Sequence, residues 1–144
     1  MPDASEPGAN LALDTSIAVP ILLKSHPEHK SLRSRVMRFR PCLTAHSLAE
    51  TYSVLTRLPG DARLRPEHAS ALIDAVFMPA VVLPSAVSIR IHALLRDAGI
   101  SGGAVYDAIV ALAAKHADLP LATRDLRAAS TYAILGVRVE LFAS

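Results

Sequence analysis

Five short, almost continuous apolar runs, each separated from the next by sequence of helical character, limit this chain more than any other feature it has. They fall at residues 11–13, 42–45, 80–83, 119–122 and 137–141. A strand with one wet face alternates apolar and polar residues, whereas a strand covered on both faces is apolar throughout. The intervening stretches carry helix signals. Ser16 caps a first helix to residue 23, distorted by Pro20, and Pro27 opens a second to residue 39. Residues 46–58 form a third, stopped by Pro59-Gly60. Pro66 starts a helix with Ala69, Leu72, Ile73 and Val76 on one face, and Ser85 caps another that runs to Ala98 and stops at Gly99. Gly102-Gly103 leads into a strongly apolar helix to residue 117, and a last helix covers 126–135 before Gly136. Strand and helix in strict alternation predict a parallel sheet between two layers of helices, a three-layer α/β/α domain.

At 144 residues the chain has room for one such domain. Residues 1–10 are polar and Pro/Gly-containing and read as a flexible N-terminal segment, with a single domain over 11–144. No repeat, linker or low-complexity stretch interrupts it. Half of the residues are apolar, which excludes intrinsic disorder. The single cysteine, Cys42, lies in an apolar run and reads as a buried, inert thiol suited to a reducing compartment. No signal peptide is visible, and the apolar stretch 75–87 is broken by Pro79 and Pro84, too short to span a bilayer. A soluble, cytoplasmic protein is expected. With no Trp and few aromatics, a base-stacking platform for single strands, which needs exposed aromatics, is not expected.

The net charge of +2 and pI near 9.0 hint at an anionic partner without requiring one. The cations are concentrated between residues 24 and 40, where Lys24, Lys30, Arg33, Arg35, Arg38 and Arg40 face one acid, Glu28. A solvated helix face and a stripe that contacts phosphates explain this equally well.

Four acids stand where chemistry is done in a parallel sheet, outside the carboxyl ends of the strands. Asp14 ends the first strand, Glu50 lies in the helix after the second, Asp125 follows the fourth, and Asp107 is near the start of the apolar helix. Three have innocent readings. Asp14 can simply end a strand, Glu50 completes a capping box with Ser47, and Asp125 can cap the next helix. Asp107 is harder to explain away. Its helical neighbours Val110, Ala111 and Ala114 make an apolar face, no Lys or Arg stands at helical spacing, and a carboxylate there needs a partner or a raised pKa. Two carboxylates about 4 Å apart repel by about 4 kcal/mol at an effective dielectric near ~20, so convergence of the four calls for a cation. All-oxygen donors without thiols or imidazoles select Mg²⁺ or Mn²⁺ over Zn²⁺.

The segments Leu13-Asp14-Thr15-Ser16, Leu48-Ala49-Glu50-Thr51-Tyr52, Tyr106-Asp107-Ala108-Ile109-Val110-Ala111-Leu112-Ala113 and Leu121-Ala122-Thr123-Arg124-Asp125 resemble, in order and spacing, the motifs of the PIN-domain family, in particular its VapC-type toxins. The resemblance covers nearly the whole chain. It implies a central five-stranded parallel sheet and a metal site made by Asp14, Glu50, Asp107 and Asp125, supported by hydrogen bonds from Ser16 and Thr123. It also implies a Mg²⁺- or Mn²⁺-dependent endoribonuclease acting on structured RNA such as tRNA, a homodimer, and a small VapB-type antitoxin that covers the site. Metal-assisted phosphodiester hydrolysis, with one or two ions, is the mechanism that follows. One departure concerns packing: family members often carry D-x-x-F at the last acid, and here Leu126-Arg127-Ala128-Ala129 follows Asp125.

Other residues keep two readings. Arg124 is a substrate-phosphate contact or a surface arginine, and His46, one turn before Glu50, is a partly buried structural histidine or a neighbour of the site. His26 and His29 read as solvated. The apolar faces of residues 17–23 and of Leu32, Val36 and Phe39 serve the core or dock an antitoxin helix. Rival chemistries lack their signatures: there is no D-x-D for a haloacid-dehalogenase phosphatase, no late lysine for a receiver domain, no G-x-G-x-x-G and no phosphate-binding loop. A non-catalytic RNA- or protein-binding module of the same fold is the remaining alternative, and retention of all four acids argues against it.

Overall fold

A computed structural model describes residues 6–142. Strands β1 (Asn10–Leu13), β2 (Arg40–Thr44), β3 (Met78–Val81), β4 (Leu121–Thr123) and β5 (Val139–Leu141) form one sheet in the order β3-β2-β1-β4-β5. Every neighbouring pair is parallel. Among the described residues eight α-helices accompany them: α1 (Thr15–Leu22), α2 (His29–Val36), α3 (Ala45–Thr56), α4 (Pro66–Val76), α5 (Ser85–Ser88), α6 (Ile91–Asp97), α7 (Ala104–His116) and α8 (Leu126–Ile134). The expected three-layer α/β/α domain with a five-stranded parallel sheet is what the chain forms.

The pleat sorts the central residues by face. Leu11, Leu13, Leu43 and Ala122 pack with Ile17, Ile21, Leu32, Val36, Leu55 and Ile73 beneath α1–α4. Ala12, Cys42 and Leu121 point the other way, against Val110, Ala111 and Ala114 of α7 and Ala128 and Tyr132 of α8. Small residues on that second face let α7 lie close to the sheet. Each fully buried leucine contributes about 1.5–3 kcal/mol. Burial pushes the Cys42 thiol up to about 11, so it is an inert filler. A satellite cluster joins Leu95 of α6 and Ile100 to Ala108 and Leu112 of α7.

Several boundaries differ from those the sequence suggests. β3 begins at Met78 and runs through Pro79, two residues earlier than expected. β3 is an edge strand, where a proline costs no ladder bond that the sheet needs. The helix expected from Ser85 to Ala98 is two helices. The Arg90 N–H bonds to the Val87 carbonyl at 3.0 Å, and Arg90 leaves helical geometry at φ −118°. α2 is shorter than residues 27–39 and starts at His29. The capping box of Ser47 and Glu50 does not form. Thr44 caps α3, its side chain accepting from the Ser47 N–H at 3.1 Å, and Ser47 is inside the helix. Asp14, not Ser16, caps α1.

Of the apolar residues weighed as a docking face, Ile17, Ile21, Leu22, Leu23, Leu32 and Val36 are core. The basic stripe is divided in the same way. Arg33 is half-buried and donates to the Ile21 carbonyl at 3.1 Å, while Lys24, Lys30, Arg35, Arg38 and Arg40 are exposed, Arg35 with its guanidinium 4.7 Å from the Phe142 ring centroid. At the N-terminus the Gly8 N–H bonds to the Arg38 carbonyl at 2.7 Å, and β1 starts at Asn10. Residues 1–5 of the expected flexible segment, and 143–144, lie outside the described residues. Among the described residues no helix is long and apolar enough to cross a membrane.

Candidate active site

Strand order reverses at β1: the chain moves from β1 out to β2 and β3, then returns to place β4 on the other side of β1. Two connections leave the sheet in opposite directions there, and a crevice opens at the carboxyl ends of β1 and β4. Asp14 and Asp125 follow those two strands. The Asp14 N–H bonds to the Ala122 carbonyl at 3.1 Å, which ties the two strand ends together. A cleft of about 440 Å³ lies over this point. Asp14, Ser16, Glu50, Asp107, Arg124 and Asp125 all line it.

Asp14 is 6% exposed and fully engaged. Its Oδ1 accepts from the Ser16 N–H at 3.0 Å and the Ser16 hydroxyl at 2.5 Å, and its Oδ2 accepts from the Tyr132 hydroxyl at 2.8 Å. Burial raises its pKa, and hydrogen bonds from Ser16, Thr123 and Tyr132 pull it part of the way back. Ser16 is a junction, since its Oγ also accepts from the Arg124 N–H at 2.9 Å and lies 3.3 Å from the Thr123 hydroxyl. Thr123, completely buried, accepts from the Asp125 N–H at 3.0 Å. Ser16 and Thr123 thus connect the first acid to the last. Asp125 also caps α8, accepting from the Arg127 and Ala128 N–H groups at 2.9 and 3.4 Å, so its innocent role and its place on the cleft coexist.

Glu50 and Asp107 approach from helices. Asp107, in the first turn of α7, has a raised pKa, through burial first and then the charges of Asp125, Asp14 and Glu50, with Arg127 opposing. The four carboxylates therefore feel one another across the cleft. Glu50 stands on the exposed side of α3, where its Oε2 lies 3.4 Å from His46 Nε2. The His46 ring stacks on Tyr106, with centroids 5.7 Å apart and planes inclined by 14°. Among the described residues no three His, Cys, Asp or Glu side chains are drawn into a ready-made metal cage. The donor set nonetheless suits a hard divalent cation. It is carboxylate oxygen throughout, on one cleft, under mutual repulsion that such a cation relieves.

Tyr132 is the member that sequence reasoning missed. It is buried, and its pKa is pushed far up by burial and by the Asp14 charge, which keeps it a hydrogen donor. Its only signal is the position one turn after Ala128 on the inner face of α8, plus the rule that a buried tyrosine hydroxyl finds a partner. Arg124 pairs with Glu28 through its terminal nitrogen, while its Nε is buried without a partner. It is held beside the cleft and is not a free surface arginine. His26 lines the cleft, with Nδ1 accepting from the Glu28 N–H at 3.1 Å, and His29 Nδ1 is 2.9 Å from the Pro20 carbonyl. Both organise the connection from α1 to α2 and are not simply solvated. Where the D-x-x-F pattern departs, Ala128 is buried against α7 and Leu126 is 71% exposed.

Comparison with known proteins agrees with this architecture. The PIN domain family matches residues 11–134. Ribonuclease VapC27 of Mycobacterium tuberculosis (strain ATCC 25618 / H37Rv) is 46% identical over 129 residues, covering 90% of this chain and 94% of that protein. Ribonuclease VapC40 of the same species (strain CDC 1551 / Oshkosh) is 39% identical over 132 residues, 91% of this chain and 98% of that one. Among solved structures, VapBC2 from Rickettsia felis, bound to a DNA fragment from its promoter, superposes with a TM-score of 0.63 at 16% identity. It covers 92% of this chain and 98% of that one, and at that identity it speaks for the fold.

Proposed function

This chain belongs to the PIN-domain family, and from that premise we propose that it is a Mg²⁺- or Mn²⁺-dependent endoribonuclease, the toxin of a toxin–antitoxin pair. The observation that carries the reading is the convergence of Asp14, Glu50, Asp107 and Asp125 on one cleft, with the Asp107 pKa raised by burial first and then by the charges of the other three. These four residues would hold the cation. When bound, a divalent cation offsets charge on a phosphodiester and makes water a stronger nucleophile. The rest is the work of the chain. Ser16 and Tyr132 fix both oxygens of Asp14, so that its carboxylate faces the cleft in one orientation. Thr123 and the α8 N-terminus do the same for Asp125. Arg124, held at the cleft by Glu28, is placed to orient a phosphate group.

The substrate in this reading is cytoplasmic RNA, with structured RNA such as tRNA as the proposed class. The partner is a VapB-type antitoxin that covers the cleft, and the VapC names of the relatives and the VapBC complex among the fold neighbours support it. A homodimer is also proposed, on the resemblance to VapC-type toxins alone. The test is direct. The purified chain and its Asp14→Asn variant are incubated with total RNA in Mg²⁺, in Mn²⁺ and in excess EDTA. Discrete cuts that need the metal and vanish in the variant are expected. A folded, antitoxin-free protein that cuts nothing would make the chain a binding module instead.

A further inference from the structure

Aromatic side chains are scarce here, three Tyr, three Phe and no Trp, and packing uses most of them. Tyr132 and Phe142 are buried, and Phe39 and Phe77 pack against the core under α1–α4. Tyr52 is 39% exposed on α3 and does not line the cleft. Tyr106 is different. It is 59% exposed, lies next to Asp107 in the first turn of α7, and lines the same cleft as the four acids. One side of its ring is backed by His46 in a near-parallel stack, and most of its remaining surface is open. His46 is itself seated beside Glu50, so the stack adjoins the acidic centre.

A flat, supported, solvent-facing ring beside a cluster of carboxylates suits a planar, uncharged ligand group better than a phosphate, which the acids repel. We infer that Tyr106, backed by His46, is a stacking platform for one unpaired nucleobase of an RNA strand lying in the cleft. This inference rests on the ribonuclease reading and adds a positioning residue to it. The scarcity of aromatics predicts no base-stacking platform at all, but the fold leaves one exposed ring, Tyr106, beside the acids, and one ring is sufficient to hold one base. Stacking uses the face of the base and not its hydrogen-bonding edge, so the platform selects for an unpaired nucleotide and is tolerant of which one. The tyrosine hydroxyl has no part in it.

The test uses the full chain carrying Asp14→Asn to prevent cleavage, and a single-stranded oligoribonucleotide with 2-aminopurine moved one position at a time. Binding is expected to quench the fluorescence sharply at one position. Tyr106→Phe retains the quench and the affinity, whereas Tyr106→Leu loses the quench and weakens binding roughly 5- to 100-fold. With Asp14 restored, Tyr106→Leu is expected to raise KM more than it lowers kcat. An unchanged quench and affinity in Tyr106→Leu would overturn the platform even if metal-dependent cleavage is seen. A quench that depends on Tyr106, in a protein whose wild type cuts no RNA, would keep the platform and remove the ribonuclease. Failure of the oligoribonucleotide to bind at all would overturn the platform and leave the ribonuclease to be decided by the total-RNA test.

Discussion

The two sides of the cleft are built differently. On the sheet side, Asp14 is buried with both oxygens engaged, and Ser16, Thr123 and Tyr132 link it to the ends of β4 and α8. On the helix side, the Glu50 side chain is 46% exposed, with His46 as its neighbour. Order on the first side comes from the fold itself, because the donors sit on the strands and helices that make the core. The second side is carried by long side chains on helix surfaces, which are free to adjust. A carboxylate buried this deeply costs stability when ionised, although its hydrogen bonds offset part of that cost, and the open side leaves room for a ligand to enter and be grasped.

Substitutions on the two sides should therefore behave differently. Asp14→Asn is expected to have the largest effect, a loss of cleavage beyond ~100-fold, the upper end of what an outer partner of a metal ligand costs, with no rescue by more Mg²⁺. Glu50→Gln should lose activity that rising Mg²⁺ partly restores. Equal rescue of the two, in rates measured across a Mg²⁺ titration, would erase the distinction. Tyr132→Phe should follow, lowering activity or metal affinity by roughly 10- to 100-fold while the chain stays folded, read from Mg²⁺-dependent rates beside thermal unfolding curves. An effect below twofold would mean that Ser16 alone orients Asp14.

The smallest effect concerns stability. Asp14 and Asp107 both have pKa values raised above 3.8. Between 3.8 and the raised value the folded chain holds more protons on them than the unfolded chain does. Stability from these groups is thus present at low pH, declines as pH rises through that window, and stays reduced above it. In EDTA, Asp107→Asn should flatten this decline and raise Tm at neutral pH by a few degrees at most. Mg²⁺ should then stabilise the wild type more than the variant. A variant less stable than the wild type at neutral pH would show that Asp107 is satisfied without a cation.

Much of this was readable from the residues alone, for identifiable reasons. The apolar runs reveal strands because both faces of the sheet are covered, and Asp107 stands out because its helix is otherwise apolar. The errors have local causes. Ser47-x-x-Glu50 matched a cap, but Thr44 stands three residues earlier and caps the helix instead. The break at Arg90 lacks the glycine or proline that announces a helix end. The strand expected from Ala80 begins at Met78, because its edge position lets it run through Pro79. Tyr132 was invisible because its partner lies 118 positions away, and only the pairing of β1 with β4 brings the two together.

That pairing also sets a schedule. β1 ends at Leu13, but the strand that completes its second edge starts only at Leu121. Until Leu121–Thr123 has been made, the first strand lacks a neighbour on one side and Asp14 lacks Tyr132, so a growing chain holds no finished site. The site comes into being only once both distant segments have been made. A chain cut short before Leu121 leaves that edge of β1 unpaired, and an unpaired edge is a template for aggregation.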